Sequence, residues 1–183
     1  MNPGVFLERN GILNLVRVER QHQVNPLTLG EFIVNPAAIA PLRRLKKAGF
    51  VVLATTNQPG LSLDYLPRHE LDRMHGLLLR RLPLDAIYTC PHDLSDDCPC
   101  CKPKPGLLFE AAHQWRLDLD RCFVISDKWQ DALAAHNAGC TSMLVRSPWI
   151  GNGHHDFVLS TLDEVVDRIL QIHVNSYAMN SAA

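Results

Sequence analysis

Two pairs of metal-binding side chains flank a short loop in the middle of the chain. The stretch Cys90-Pro-His92 is followed, after five residues, by Cys98-Pro-Cys100. Thiolate and imidazole groups at this spacing suit tetrahedral Zn²⁺, and four protein ligands would leave the metal no position for a substrate. The spacing therefore predicts a structural zinc ion. The alternatives are that these residues are free thiols, or that Cys101, which lies outside the pattern, pairs with another cysteine.

A second group of polar residues has side chains suited to binding a divalent cation or a phosphate. Mg²⁺ prefers carboxylate and carbonyl oxygens, and a lysine supplies a compact positive charge for a phosphate. The candidates are Glu8, Asn10, Thr56, Asn57, Lys102, Asp127 and Asp131. Each has an ordinary alternative, since Asp127 and Asp131 could cap the start of a helix and Lys102 could be an exposed surface lysine. Their meaning depends on whether the fold brings them together.

These residues must be positioned by an alternation of strand-like and helix-like segments. Short apolar runs predict five strands at residues 4–8, 50–55, 85–90, 122–126 and 141–146. Apolar residues at helical spacing, with Pro36 near one start and Gly49 and Gly139 after two ends, predict helices. The helices are expected at residues 36–48, 67–82, 106–117, 129–138 and 162–173. Strands that alternate with helices indicate repeated βαβ units around a parallel sheet.

The predicted fold is a single doubly wound, Rossmann-like α/β domain with a five-stranded parallel core sheet. Ligands of such sheets bind beyond the carboxyl ends of the strands, and most of the candidate residues directly follow a predicted strand. The domain is expected to span residues 1–175, followed by a frayed tail at 176–183. The segments between the motifs are too short for a large cap domain. The connection 14–35 has no clear periodicity, and we expect it to carry a binding loop.

Composition limits the class of protein. The chain has 183 residues, of which 46% are hydrophobic, and this suits one globular domain with a sizeable core. The net charge of −1 and the lack of a basic block disfavour nucleic acid and anionic membranes as partners. No apolar run approaches the length of a transmembrane helix, and no signal peptide is predicted. The six cysteines lack the setting of a short secreted chain, which indicates reduced thiols and a cytoplasmic protein.

Four segments occur in register with the predicted strand ends. They are FLERNGILN (6–14), TTNQPG (55–60), CPH…CPCCKPKPG (90–106) and ISDKWQDALAA (125–135). Together they resemble the haloacid-dehalogenase-like (HAD) phosphatase superfamily, with the closest match in its small heptose-bisphosphate and histidinol-phosphate phosphatase group. The resemblance implies the strand order 5-4-1-2-3 and a zinc loop at 90–101. The zinc ligands it implies are Cys90, His92, Cys98 and Cys100.

The resemblance also implies catalytic roles. In this superfamily the first strand ends in Asp-x-Asp-Gly, and here Glu8 and Asn10 stand at the positions of the two aspartates. The first aspartate attacks phosphorus and the second protonates the leaving oxygen. Thr56, with the backbone amide of Asn57, matches the group that holds the phosphoryl group. Lys102 matches the lysine that neutralises the nucleophile and the phosphate.

A catalytic Mg²⁺ ion is implied as well. Its ligands would be Glu8, the backbone carbonyl of Asn10, and Asp127, with Asp131 supporting the site. Carboxylates and a carbonyl are the oxygen ligands that this ion prefers. The metal and phosphate sites are therefore expected to be largely intact.

Three departures from the family pattern bear on activity. Glu8 has one methylene more than aspartate, and a displacement of about 1 Å can cost on the order of 10²-fold in rate. Asn10 has no proton to transfer, and the loss of a general acid costs about 10² to 10⁴-fold. Cys101 stands where the family has an arginine, so that a bidentate phosphate-binding group is absent.

Two functional hypotheses follow. The first is a slow Mg²⁺-dependent phosphatase that acts as a monomer on a small sugar phosphate such as heptose bisphosphate. The second is a catalytically silent relative that binds a phosphorylated ligand or a partner protein. A zinc module for nucleic acid is disfavoured, because the chain is slightly acidic and the zinc site is closed.

Overall fold

The computed structural model describes residues 2–180 of the chain, with side chains as far as residue 176. Its main feature is a sheet of six parallel strands. In chain order the strands are β1 (Gly4–Glu8), β2 (Asn14–Leu15), β3 (Arg17–Glu19), β4 (His22–Val24), β5 (Ile33–Val34), β6 (Val51–Asn57), β7 (Ala86–Cys90), β8 (Phe123–Ser126), β9 (Thr141–Val145) and β10 (Phe157–Leu159). The helices are α1 (Ile39–Lys47), α2 (Arg68–Arg81), α3 (Gly106–Trp115), α4 (Trp129–Ala138) and α5 (Leu162–Asn180).

The sheet has the strand order β10-β9-β8-β1-β6-β7. The five strands expected from the sequence occupy it in the order 5-4-1-2-3, which confirms the doubly wound α/β fold. The sheet has one strand more than the five predicted, because β10 pairs in parallel with β9 at the edge. The three half-buried residues of β10 are too few to show the alternation of apolar and polar side chains that indicates a strand.

Alternating side chains of the strands enter two separate apolar cores. Val5 and Leu7 of β1 face the core that includes α1, α2 and α5, whereas Phe6 faces the core that includes α3 and α4. Helices thus cover both faces of the sheet, which explains why the strands are apolar throughout. β1 lies at the centre, between β6 and β8, so its carboxyl end lies in the middle of one sheet edge.

The helices start and end near the predicted residues, with two differences. The segment predicted as a helix at 36–48 begins with a 3₁₀ turn, and α1 follows this turn. The side chain of Asn35 caps the turn by accepting a backbone N–H. The last helix is predicted to end at residue 173 but runs to Asn180. It therefore continues into the predicted tail at 176–183, of which residues 181–183 lie outside the described residues. Within residues 2–180, no helix combines the length and hydrophobicity that crossing a bilayer requires.

The connection after β1 contains four short strands. β2 pairs with β5, and β3 pairs with β4 in a hairpin whose turn residues, Arg20 and Gln21, have left-handed backbones with φ of 48° and 65°. Each strand has two or three residues, too few to produce a periodic pattern. We call residues 17–24 the hairpin flap. It is a small insertion, in agreement with the expected lack of a large cap domain.

A fully buried arginine ties α2 to the loop that follows β1. The guanidinium of Arg9 donates to Asn10 Oδ1 through Nε (3.1 Å) and Nη2 (2.9 Å), and its Nη1 lies 3.2 Å from His75 Nε2. Because a guanidinium only donates, His75 Nε2 must accept, and the imidazole must be neutral. Burial, together with the positive charges of Arg9 and Arg68, lowers the pKa of His75 to about 3. The packing of α2 against this loop therefore requires an uncharged His75.

We expect the free energy of unfolding to decrease as the pH falls below about 6.5, the ordinary pKa of histidine. Unfolded His75 takes up a proton in this range, whereas folded His75 does so only near its pKa of about 3. A proton bound only by the unfolded state destabilises the fold by up to about 1.4 kcal/mol per pH unit. The free energy of unfolding, measured with urea between about pH 7 and pH 5, should depend less on pH in His75→Gln than in the wild type. The side-chain carbonyl of the glutamine can still accept from Arg9.

The exposed His69 at the start of α2 provides the matched control. His69→Gln should retain the wild-type dependence of stability on pH. If the free energy of unfolding depends equally on pH in the wild type and in both variants, His75 is not the group that causes this dependence.

Candidate active site

The seven candidate residues converge at the carboxyl edge of the sheet. They are Glu8 and Asn10 at the end of β1, Thr56 and Asn57 at the end of β6, Lys102 in the loop between β7 and α3, and Asp127 and Asp131 at the start of α4. The carboxyl ends of parallel strands meet at one edge, which is why residues far apart in the sequence meet there.

The ammonium group of Lys102 lies at the centre of this set. Its Nζ contacts a carboxylate oxygen of Glu8, lies 2.6 Å from Asp131 Oδ1 and donates to the Thr55 carbonyl at 3.2 Å. Ser126 Oγ donates to the other Asp131 oxygen at 2.8 Å. All five residues are buried. The ammonium has therefore exchanged water for two carboxylates and a carbonyl, as a buried charge requires.

These contacts determine which groups are charged. Burial by itself would raise the pKa of Glu8, but the ammonium groups of Lys102 and Lys128 outweigh burial and lower it. Burial by itself would lower the pKa of Lys102, and the carboxylates of Asp131 and Glu8 raise it instead. Burial raises the pKa of Asp131, and the charge of Lys102 offsets this only in part. Glu8 is therefore a carboxylate, and Lys102 an ammonium, at neutral pH.

Further hydrogen bonds orient the Glu8 carboxylate. Its Oε1 accepts from the Asn10 backbone N–H at 3.0 Å and from Thr56 Oγ1 at 3.3 Å. The Thr56 hydroxyl in turn accepts from Gln58 Nε2 at 2.9 Å. Thr56 is fully buried, and its hydroxyl is engaged with these two side chains. Its role in holding a phosphoryl group stays a prediction.

Asn57 fastens the backbone of Lys102 to the end of β6. Its Oδ1 accepts from the Lys102 backbone N–H at 3.2 Å, and its Nδ2 donates to the Lys102 carbonyl at 3.3 Å. Asn57 also pairs in register with Cys90, the last residue of β7. The side chain of Asn57 therefore positions Lys102 through hydrogen bonds to the Lys102 backbone.

The four predicted zinc ligands form one compact cluster. The ligand atoms of Cys90, His92, Cys98 and Cys100 all lie within 4.8 Å of one another. The three Sγ–Sγ distances are 3.2, 3.4 and 3.6 Å, and His92 Nδ1 lies 3.3 Å from Cys100 Sγ. Three thiols and one imidazole form a donor set that fits tetrahedral Zn²⁺. Cys101 lies outside the cluster, as its sequence position indicates.

The Lys128 ammonium group lies among the oxygens that are expected to bind Mg²⁺. Its Nζ lies 2.6 Å from the Asn10 carbonyl oxygen and 2.8 Å from Asp127 Oδ1, two of the three oxygens expected to bind Mg²⁺. Glu8, the third expected donor, has its pKa lowered in part by the same ammonium. The carbonyl and the carboxylate in contact with this ammonium are oxygen donors of the kind that Mg²⁺ prefers. A metal ion held there would experience repulsion from Lys128.

Lys128, Gln23 and Arg9 are not among the candidate residues predicted from the sequence. Lys128 directly follows Asp127 at a strand end, so the rule that selects the other residues would also have selected it. Arg9 lies between two candidates, but nothing in its spacing predicts that it is buried. Gln23 of the hairpin flap donates to Asp127 Oδ2 at 2.6 Å, a contact between residues 104 positions apart that no local pattern can indicate.

An open cavity of about 390 Å³ lies over this set of residues. Glu8, Lys102 and Lys128 line it, and Leu94 of the zinc loop and Trp129 of α4 contribute to its walls. Its volume suits a small organic molecule. The site is therefore a buried carboxylate–ammonium centre that is accessible from solvent through a small cavity.

The chain is similar to known proteins over most of its length. A family model described as HAD-hydrolase-like matches residues 99–171. The D-glycero-beta-D-manno-heptose-1,7-bisphosphate 7-phosphatase of Bordetella bronchiseptica is 30% identical, over 87% of this chain and 88% of its own length. The protein of the same name from Haemophilus influenzae is 32% identical, over 93% of this chain and 98% of its own length.

Solved structures show the same fold. The D,D-heptose 1.7-bisphosphate phosphatase from B. bronchiseptica, complexed with magnesium and phosphate, has a TM-score of 0.78 and 29% identity, and the match covers 93% of this chain and 99% of that one. A putative HAD-like phosphatase from Mesorhizobium loti shares the fold with a TM-score of 0.74 at 24% identity, over 92% of this chain and 86% of that one. By sequence and by fold, the chain belongs to the HAD superfamily and, within it, to the family of the D-glycero-beta-D-manno-heptose-1,7-bisphosphate 7-phosphatases.

Proposed function

We propose that this protein is a Mg²⁺-dependent phosphatase that acts slowly on a small sugar phosphate. The main support is one observation, the Glu8 carboxylate in contact with the buried ammonium of Lys102 beside an open cavity. Phosphoryl transfer depends chiefly on positioning and charge neutralisation, which such a pair supplies. The relatives are named for a heptose bisphosphate, and this supports a phosphorylated sugar as the substrate.

The reaction would proceed in two displacements at phosphorus. A Glu8 oxygen forms a bond to phosphorus while the bond between phosphorus and the ester oxygen breaks. The leaving oxygen takes its proton from water, because the Asn10 amide is not an acid. Water then attacks the phosphoryl-glutamate, which releases phosphate and restores the Glu8 carboxylate. Lys102 balances the charge of the nucleophile and of the phosphoryl group in both steps.

Glu8, the Asn10 carbonyl and Asp127 would hold Mg²⁺. When bound, the ion would neutralise charge on the phosphoryl oxygens. Asp131 supports the site indirectly, because its two oxygens bind Lys102 and Ser126.

Slow turnover follows from the two substituted positions. The longer Glu8 side chain changes the geometry of attack, and a misplacement of about 1 Å costs on the order of 10²-fold. The lack of an acid at Asn10 costs about 10² to 10⁴-fold in addition, although such losses do not simply multiply. Arg9 donates twice to the Asn10 side-chain oxygen, at 2.9 and 3.1 Å, so that the amide has a fixed orientation.

The second candidate function is binding of a phosphorylated ligand, or of a partner protein, without turnover. The arrangement at Asn10 favours it, because a neutral amide fixed by Arg9 cannot deliver a proton. Both Glu8 oxygens also already accept hydrogen bonds, Oε1 from Thr56 and Oε2 from Lys102.

None of the six cysteines, all of which lie among the described residues, forms a disulfide, which supports a location in the reducing cytoplasm. A monomeric state and the domain limits of 1–175 stay predictions.

Turnover by matched variants separates the two functions. We expect the wild type to release phosphate slowly from sugar phosphates in the presence of Mg²⁺. Glu8→Asp/Asn10→Asp should be at least about 10²-fold faster, because attack geometry and the proton donor are restored. Asp127→Ala should abolish the wild-type activity, whereas Asp72→Ala, on the exposed face of α2, should not.

An inert wild type together with an active double variant would establish the silent function. Failure of the wild type and the double variant to bind either Mg²⁺ or inorganic phosphate would exclude both functions.

Removal of the Lys128 charge should strengthen metal binding. Lys128→Met retains the aliphatic stem and removes the ammonium that contacts two expected metal ligands. We expect Mg²⁺ to bind about tenfold more tightly, because one nearby repulsive charge is lost. Calorimetry with Mg²⁺ measures the change, and Lys47→Met on the surface of α1 is the control. Unchanged or weaker binding by Lys128→Met would place the metal elsewhere.

The zinc loop should contain about one zinc ion per chain, as determined by metal analysis of the purified protein. Cys98→Ser should lose the metal and bind inorganic phosphate more weakly, because the loop no longer holds Lys102 in place. Cys101→Ser, next to the cluster but outside it, should retain the zinc. A zinc content far below one per chain in the wild type would refute the site.

A further inference from the structure

We infer that Gln23 of the hairpin flap is a positioning residue for the metal ion. Its side-chain N–H orients the Asp127 carboxylate, and its side-chain carbonyl accepts a hydrogen bond from a water ligand of the ion. The inference rests on the proposed function and adds a residue from outside the four segments that resemble the family. Three features support it: the contact with Asp127, a buried carbonyl oxygen without a partner, and a second attachment of the flap to the same site.

The Gln23 side chain contacts an expected metal ligand directly. Its Nε2 donates to Asp127 Oδ2 at 2.6 Å. A carboxylate only accepts hydrogen bonds, so the nitrogen of the amide, and not its oxygen, must face Asp127. The other carboxylate oxygen, Oδ1, lies 2.8 Å from Lys128 Nζ. Gln23 and Lys128 therefore hold one oxygen each of the same carboxylate.

Gln23 and Lys128 differ in how they affect a cation at this place. The ammonium of Lys128 repels a metal ion, whereas the Gln23 amide is uncharged and can keep its hydrogen bond when the ion binds. The Asp127 side chain is buried, and a Cβ atom on Gly11 would lie 2.5 Å from its Oδ2. Carboxylates that bind metals are commonly oriented by such hydrogen bonds from neighbouring groups. Gln23 thus has the properties of a group that orients Asp127 toward the ion.

The side-chain carbonyl of Gln23 lacks a donor. Its Oε1 is buried and accepts no hydrogen bond within the part of the chain that the structure describes. A buried carbonyl oxygen is nearly always hydrogen-bonded, because it has lost its hydration. Oε1 belongs to the same amide group as Nε2 and therefore lies next to the expected Mg²⁺ ligand. Mg²⁺ usually keeps several water ligands, whose hydrogens point away from the ion. Such a water supplies the donor that Oε1 lacks.

A second chain of contacts attaches the flap to Asp127. Trp149 Nε1 donates to the carbonyl of Gln21, in the turn of the flap, at 3.4 Å. The backbone N–H of Trp149 donates to Ser147 Oγ at 3.0 Å, and the Ser147 hydroxyl donates to the Asp127 backbone carbonyl. The loop after β9 thus holds both the turn of the flap and the main chain of Asp127. The position of Gln23 beside Asp127 therefore does not depend on a single side-chain contact.

Calorimetry with Mg²⁺ tests the inference. Gln23→Leu removes both the donor and the acceptor at a similar side-chain size, and we expect Mg²⁺ to bind about 10- to 100-fold more weakly. His22→Leu is the matched control, because His22 is exposed and its side chain points to the opposite face of β4. This control should bind Mg²⁺ as the wild type does.

The calorimetric outcomes separate the inference from the proposed function. If the wild type binds Mg²⁺ and Asp127→Ala does not, but Gln23→Leu binds as tightly as the wild type, the inference fails and the proposed function stands. An equal loss in Gln23→Leu and His22→Leu would also overturn the inference, because any change in the flap would then weaken binding. If the wild type does not bind Mg²⁺, both fail.

Hydrogen exchange distinguishes positioning of the metal ion from damage to the flap. Coupling between two binding events is reciprocal, so saturating Mg²⁺ should slow exchange of the amides that pair β3 with β4 by at least about tenfold in the wild type. His22→Leu should retain this effect of Mg²⁺, and Gln23→Leu should lose it. A variant with a merely loosened hairpin would exchange faster and still respond to Mg²⁺. A full response in Gln23→Leu, or none in the wild type, would overturn the inference.

Discussion

The buried ammonium group of Lys102 is the interaction on which the site depends. Removing such a charge from water costs several kcal/mol, and two carboxylates offset this only if they are held at contact distance. The three partners come from different parts of the chain: Glu8 from the central strand β1, Asp131 from α4, and Lys102 from the loop that contains the zinc cluster. The strand order and the zinc loop must therefore be in place before the site can form.

This arrangement tolerates two of the three departures from the family pattern, those at positions 8 and 10. A glutamate at position 8 still reaches the ammonium of Lys102, so that the buried charges remain paired. An asparagine at position 10 still accepts from Arg9, and its backbone carbonyl still accepts from Lys128. Charge pairing depends on position and sign, which are retained. Proton transfer depends on an acidic hydrogen, which an amide lacks.

The surroundings of the site vary more easily than its base. The zinc loop and the hairpin flap both approach the cavity edge of the sheet, and the flap reaches the site through Gln23 on Asp127. Loops carried by a rigid scaffold can change the shape and charge of a cavity without disturbing the core. The fold shared with the heptose-bisphosphate phosphatases therefore does not by itself determine which ligand the cavity binds.

Much of this organisation could be predicted from the sequence, because it depends on local patterns. Apolar runs and helix-terminal residues indicate the five main strands and the order of helices, and the spacing of Cys90, His92, Cys98 and Cys100 indicates the compact Cys/His cluster. The location of the site follows from a rule about parallel strands. The short strand β10 and the four strands after β1 could not be predicted, since segments of two or three residues carry no measurable period.

The sequence by itself thus determined the residue types, the fold class and the edge of the sheet at which the chemistry lies. The tertiary structure alone decided which groups neutralise one another. It placed Lys128 between two expected metal ligands, Gln23 on Asp127, and Arg9 in full burial behind Asn10. These contacts join segments distant in the chain, and their geometry depends on how the sheet orders its strands and how loops pack over its edge. Electrostatic energy varies steeply with separation and burial, so charge balance is a property of the folded arrangement.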